Sequence, residues 1–228
     1  MFSLVVPFHS DVDRLAVTLS QADETRRHGI SEVLYCHNGK PLADDVSREL
    51  AAKLPADARL LHTSVKGIGA GYRLGIESAR DEFVVLSASD LPFGFSDVDA
   101  FVQGRPLRVA IGSKAHVQSH IPGYPWSRRA ATGLFYLFRR ALLGSDTPRD
   151  SQGTIIAETA LARQILRDVK ADDYFFSLEF LTLCTRAGLT PMELPVTLAR
   201  HEGTSSVRLW HDSIALAKQT WRLRRRLQ

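Results

Sequence analysis

Between Phe2 and Gly112 the chain alternates short apolar, β-branched runs with segments of helical spacing, and few folds accept that order. Strands are expected at Phe2–Pro7, Glu32–Cys36, Arg59–His62, Phe83–Leu86 and Arg108–Gly112. Helices are expected between them, at about Val12–Arg27, Ala43–Leu54, Gly69–Ala79 and Asp97–Val102. In the first of these, Leu15, Leu19 and Ala22 share one face, with Asp11 as N-cap and Gly29 as the stop. Strands joined by helical crossovers pair in parallel, and a parallel sheet is covered by helices on both faces. The second half is more helical. It predicts helices at Ser127–Leu143, Ala157–Val169, Phe175–Ala187 and Leu209–Leu227, with one late strand at Met192–Leu198. Trp210, Ile214, Ala217 and Trp221 form a stripe along the last helix.

With 228 residues and 44% hydrophobic content, the chain can bury a core as one domain, residues 1–228. Its 29 Lys+Arg against 25 Asp+Glu leave a net charge of only +4, so no nucleic-acid partner is expected. The excess gathers at Arg222, Arg224, Arg225 and Arg226 on the terminal helix, either as a solvated face or as a contact for an anionic membrane surface. Cys36 and Cys184 lie in apolar patterns and are expected as reduced core residues of a cytoplasmic protein. Met1–Pro7 lacks a basic leader region and is expected to be a strand. No apolar run approaches the roughly 18 residues of a membrane span, so any membrane contact is expected to be peripheral or made through a membrane-protein partner. His9, His37, His116 and His201 show no metal-ligand spacing.

The chemistry is expected just beyond the strand Phe83–Leu86, which runs into Ser87-Ala88-Ser89-Asp90. Ligands of open α/β sheets gather beyond the carboxyl ends of strands, and this turn delivers one carboxylate there. Other segments share the order of a known pattern. These are Leu4-Val5-Val6-Pro7-Phe8, the glycine string Gly67-x-Gly69-Ala70-x-x-Arg73-x-Gly75, and Ile111-Gly112-Ser113-Lys114. Arg128-Arg129, Asp150-Ser151-Gln152-Gly153, Glu179 within Phe175–Phe180, and Arg200-His201-Glu202-Gly203-Thr204-Ser205-Ser206 follow.

In order and spacing these segments resemble the family 2 glycosyltransferases of GT-A type, specifically the polyprenyl-phosphate sugar transferases (dolichyl-phosphate mannose or glucose synthases). The resemblance implies a Rossmann-like three-layer α/β/α domain with a mainly parallel, mixed central sheet and a helical C-terminal part. Residues 1–114 would form the nucleotide-sugar half and 115–228 the acceptor half. It implies inverting transfer from a UDP- or GDP-linked sugar to a polyprenyl phosphate or another cell-envelope acceptor, at the inner face of a membrane.

On the donor side it places Pro7, Phe8 and Asn38 near the base, and Gly67, Gly69, Arg73, Ser89, Lys114, Arg200 and Ser205 around the diphosphate. On the acceptor side it places Arg128, Arg129, Gln152 and Glu179, with Asp90 and Asp150 as the catalytic carboxylates. Asp150 also reads as a turn cap, and Glu179 as the buried partner of an arginine.

Two departures stand out. The family's Asp-x-Asp at the metal turn is here Ala88-x-Asp90, and its Asp-Asp-Gly-Ser after the second strand is His37-Asn38-Gly39-Lys40. A Mg²⁺ or Mn²⁺ ion would be held by Asp90 alone, so weak or absent metal dependence is expected. The same losses leave open a non-catalytic nucleotide- or sugar-binding protein of this fold, and a nucleotidyltransferase of similar topology.

Overall fold

The computed structural model describes residues 1–10, 15–104, 107–123, 126–144, 147–198 and 209–228, without the side chains of 17, 22, 127–129 and 209–214. Its strands are β1 (Phe2–Phe8), β2 (Ile30–Asn38), β3 (Ala58–Thr63), β4 (Phe83–Leu86), β5 (Val109–Ser113), β6 (Ile155–Glu158) and β7 (Met192–Pro195). The helices are α1 (Leu15–Ser20), α2 (Ala22–Arg27), α3 (Asp44–Lys53), α4 (Ile68–Ser78), α5 (Ser96–Gln103), α6 (Trp126–Leu143), α7 (Thr159–Leu166), α8 (Phe176–Arg186) and α9 (Leu209–Leu227). The strands lie in the order β3-β2-β1-β4-β6-β5-β7. β6 is antiparallel to both its neighbours, and the other pairings are parallel. The mixed, mainly parallel sheet is the one the resemblance implies.

Alternation along each strand builds the two faces. Val5, Leu34, Cys36, Val84, Leu86, Ile111 and Ile155 point into a core closed by α4, α7 and α8. Leu4, Val6, Val33, Tyr35, Val85 and Ala110 point the other way, under α1, α3 and α5. A third cluster, Phe175, Leu178 and Leu223, joins α8 to α9, with Phe135 and Leu143 of α6 packed against it. Helix α4 sits close on β1 because Gly71 and Gly75 face it. A Cβ on Gly75 would come 2.1 Å from Val5 Cγ1, and one on Gly71 2.6 Å from Pro7 Cβ. Both cysteines are free and buried. Burial pushes the Cys184 thiol up to about 12 and raises that of Cys36 further, so both stay protonated.

Two expectations change. Ile155–Glu158 is a strand where a helix starting at Ala157 was expected, because three apolar residues followed by one glutamate show no period to distinguish the two. The expected helix Val12–Arg27 divides at Gln21, whose N–H donates to Thr18 O. Its expected cap Asp11 lies outside the described residues.

Asp97, near the start of α5, is 2% exposed, with Oδ1 accepting the Val98 N–H at 2.8 Å. Burial pushes its carboxyl up from 3.8 to about 6, against the opposing hydrogen bond from Thr154. Between those values the folded protein holds a proton that the unfolded chain releases. Stability therefore falls as pH rises through this window and then levels off. Asp97→Asn is expected to stabilise the protein at neutral pH by on the order of 2 kcal/mol and to change little near pH 4. Thermal unfolding of both proteins at the two pH values checks this, and a variant no more stable at neutral pH would refute it.

Candidate active site

The carboxyl ends of β1, β2, β3 and β5, the start of α4, the turn after β4 and the entry to β6 all meet at one edge of the sheet. Strand order reverses direction of growth between β1 and β4, which opens the crevice typical of such sheets. The sequence-expected residues Pro7, Phe8, Asn38, Gly67, Ser89, Asp90, Lys114, Asp150 and Gln152 all lie along this edge.

Several expected donor contacts are already used within the protein. The Asn38 amide is 3% exposed; its Nδ2 donates to Phe8 O at 2.8 Å and its Oδ1 accepts the Gly67 N–H at 2.9 Å. It ties β1, β2 and the start of α4 together. Gly67, at φ +135, would place a Cβ 2.0 Å from Asp172 O, and Gly69 would place one 2.7 Å from Phe176 Cβ. The Asp172–Phe176 segment makes the close approach that these glycines permit. Phe8 is buried against the His37 ring, 5.1 Å between centroids, leaving mainly backbone at that position.

Arg73 also turns inward. Its Nη1 and Nη2 donate to Leu166 O at 3.2 Å and Val169 O at 2.9 Å, at the end of α7. Arg163 of α7 reciprocates, donating to Ile76 O, Glu77 O and Ala79 O at the end of α4. Each guanidinium satisfies the other helix's terminal carbonyls. The cavity of about 540 Å³ beside them is thus lined by capping groups.

Sequence reasoning missed the imidazoles at this edge. His37 Nδ1 meets His62 Nδ1 at 2.9 Å, and the His9 ring stacks on His37 at 6.4 Å. Burial and the neighbouring His62 hold His37 below its ordinary value, so one ring donates and the other accepts.

Asp90 differs from these. It is half-buried, and among the described residues nothing hydrogen-bonds or ion-pairs with it. The next residue, Leu91, has φ 42, the one positive value at a non-glycine among the described residues. Its side chain is 2% exposed in the α5-side core, which holds a backbone conformation costing of order 1–3 kcal/mol. The hydrogen bonds Leu91 N–H to Ala88 O and Gly94 N–H to Leu91 O close the turn. A carboxylate with no partner among the described residues, on a turn fixed by a buried neighbour, suits a single ligand to a divalent cation whose remaining ligands come from a diphosphate.

On the other side of the crevice, a cavity of about 710 Å³ lies between α6, residues 114–121 and residues 149–152. Its lining mixes polar groups, Lys114, His116, Arg149, Asp150 and Gln152 among them, with the large side chains of Ile121, Phe135, Tyr136, Leu137 and Leu216. Asp150 is 5% exposed. Its Oδ2 accepts the Lys114 N–H and its Oδ1 the Gln152 N–H, both at 3.0 Å. Its own N–H donates to Glu193 Oε1, which also accepts Ser113 Oγ–H at 2.9 Å. The carboxylate therefore caps this turn and positions Lys114 and Gln152. That arrangement supports the turn-cap alternative over a free general base.

Behind it lies Arg139, 1% exposed on α6 and equally missed from the sequence. Its Nη2 donates to Pro148 O and Arg149 O, while Nε and Nη1 have no partner among the described residues. Burial lowers its pKa, opposed by Asp150 and Glu193. The signal was present: Arg139 falls on the face of α6 opposite Trp126 and Leu134, the inner one.

Glu179 is 2% exposed and does not reach this cavity's lining. Its Oε2 accepts the Ala171 N–H at 2.8 Å and its Oε1 pairs with Arg226 of α9. The buried-partner alternative describes it, because a carboxylate in the core needs a cation and donors. The side chains of Arg128 and Arg129, and all of Arg200 and Ser205, lie outside the described residues.

Comparison with known proteins follows the same lines. Mouse (Mus musculus) dolichyl-phosphate beta-glucosyltransferase is 22% identical over 227 residues, covering 91% of this chain and 70% of that protein. Glucosyl-3-phosphoglycerate synthase from Mycobacterium tuberculosis, in complex with Mn²⁺, UDP and phosphoglyceric acid, superposes with a TM-score of 0.68 at 15% identity. That match covers 98% of this chain and 76% of that one. The same enzyme with Mn²⁺, UDP-glucose and glycerol 3-phosphate gives 0.66 at 16% identity, covering 98% and 78%. No protein-family model matches the chain. The chain has the GT-A fold of these transferases, and in sequence it resembles the dolichyl-phosphate sugar transferases of glycosyltransferase family 2.

Proposed function

We propose that this protein is an inverting glycosyltransferase that moves a sugar, glucose first among candidates, from a UDP-linked donor to a polyprenyl phosphate. The observation that carries the reading is the mixed lining of one cavity: Lys114, His116 and Arg149 together with Ile121, Phe135, Tyr136 and Leu216. A phosphate on a hydrocarbon chain matches both kinds of group. A phosphate oxygen is already a nucleophile at neutral pH, so the capped carboxylate of Asp150 is no obstacle; positioning matters more than a base. The donor would lie across the β1–β4 crevice with its diphosphate at Asp90. A Mg²⁺ or Mn²⁺ ion held there would neutralise charge on the departing diphosphate.

A lipid-linked acceptor is met at a bilayer, so the protein would work as a peripheral enzyme on the cytoplasmic face. No helix among the described residues is long and apolar enough to cross a membrane. The test is incubation of purified protein with labelled UDP-glucose or GDP-mannose and a polyprenyl phosphate. Glycolipid formed from UDP-glucose is the expected result. Donor binding with no transfer to any polyprenyl phosphate would favour the non-catalytic alternative and overturn the proposal.

A further inference from the structure

Helix α6 presents an unusual outer face. Trp126, Ala130, Leu134, Leu137, Phe138 and Ala141 recur at helical spacing on its exposed side. Trp126 is 81% exposed, Leu134 71% and Leu137 61%, although Phe135, Arg139 and Leu143 of the same helix are turned inward. Large apolar side chains contiguous on a surface mark an interaction site. The helix contains no acidic residue, and its cationic Arg140 is exposed beside the stripe. Helix α9, packed against α6, adds exposed Lys218, Trp221, Arg222 and Arg225, and Asp212 is its one acid.

From this we infer that the outer face of α6, with the adjoining end of α9, docks on an anionic phospholipid bilayer. Two observations choose a membrane over a protein partner. Apart from Asp212 the charge along both helices is positive, as a surface of lipid phosphates requires and as a partner of mixed surface charge or a second copy of this face does not complement. The apolar stripe is also continuous with the 710 Å³ cavity: Leu137 belongs to both, and Val117 at the cavity's rim is 89% exposed. Tryptophan and leucine entering the headgroup region would bring that opening to the level at which a lipid phosphate sits. The inference deepens the reading of a lipid-linked acceptor and rests on it for its purpose; the docking itself needs no reaction.

The experiment is flotation of the full chain with vesicles of phosphatidylcholine alone, or mixed with phosphatidylglycerol, containing no polyprenyl phosphate. Binding to the mixed vesicles is expected to exceed binding to neutral ones by on the order of tenfold and to fall with added salt. Leu134→Glu, alone and with Trp126→Glu, is expected to weaken it by a similar factor without moving the thermal unfolding midpoint. Wild type that does not float with anionic vesicles, or variants that float as well as wild type, would overturn the inference. So would sedimentation showing a wild-type dimer that Leu134→Glu dissociates, since that face would then belong to a second copy. Because the vesicles lack acceptor, failure to float and failure to transfer sugar are separate results.

Discussion

Asp90→Ala is expected to lower sugar transfer by about 10²–10³-fold while leaving stability within about 0.5 kcal/mol of wild type. The two halves of this expectation have one cause. Among the described residues Asp90 bonds to nothing, so the fold loses no contact when its carboxylate goes. The departing diphosphate, however, develops charge at the edge where Asp90 is the carboxylate left for a cation, position 88 being alanine. Chelation and the substitution act on the same contact, so their effects should not multiply. A lone carboxylate by itself predicts weak metal dependence, but its open position among the described residues favours a bound ion. In EDTA, wild type and Asp90→Ala are expected to turn over at similar rates, with Mn²⁺ restoring the wild type more than the variant. Rates measured across a Mn²⁺ titration check both points. A variant as fast as wild type would remove Asp90 from the mechanism. A wild type indifferent to EDTA would assign the charge to fixed cations, Lys114 first among those described.

Gly153→Ala is expected to have the largest effect on stability, a loss of about 3 kcal/mol or more. A Cβ there would lie 1.7 Å from Gly112 O and 2.8 Å from Gly112 C, which are backbone atoms without a rotamer to yield. The same approach lets Gly112 N–H donate to Thr154 O at 2.8 Å and brings β6 in beside β5. Relief of the clash would push away the segment that carries Asp150 and Gln152, so activity is expected to fall with stability. Gly133→Ala is the control: nothing lies within 4 Å of its added Cβ on α6, and a gain of about 0.5–1 kcal/mol is expected from helix propensity. Denaturant unfolding of both variants decides the matter, and equal effects would refute the steric account.

Much of the architecture was legible from local pattern. The apolar runs of β1, β2, β4 and β5 and the periodic faces of α3, α4, α8 and α9 all formed near their expected bounds. The carboxyl edge followed from that order, and with it the placement of Asp90 and Lys114. β6 was not legible, because three apolar residues and a glutamate read equally as a strand or as the start of a helix, and their direction depends on which strands they join. Arg139 was not singled out, although its place on the inner face of α6 is readable from helical spacing.

The amino-acid order determined the covered parallel sheet, the edge where ligands gather, and the lone carboxylate in the turn after β4. Tertiary structure decided which polar groups remain available there. Asn38, Arg73, Asp150 and Glu179 have the hydrogen-bonding capacity that a sugar nucleotide or a phosphate would use, and that capacity is read from residue type. A backbone N–H, a carbonyl or a buried arginine uses the same capacity equally well. Whether one of these stands within 3 Å or so depends on segments far apart in sequence, such as Gly67 for Asn38, Val169 for Arg73 and Arg226 for Glu179. The fold gave those side chains to its own backbone and charges, and among the described residues it set no hydrogen-bond or ion-pair partner against Asp90.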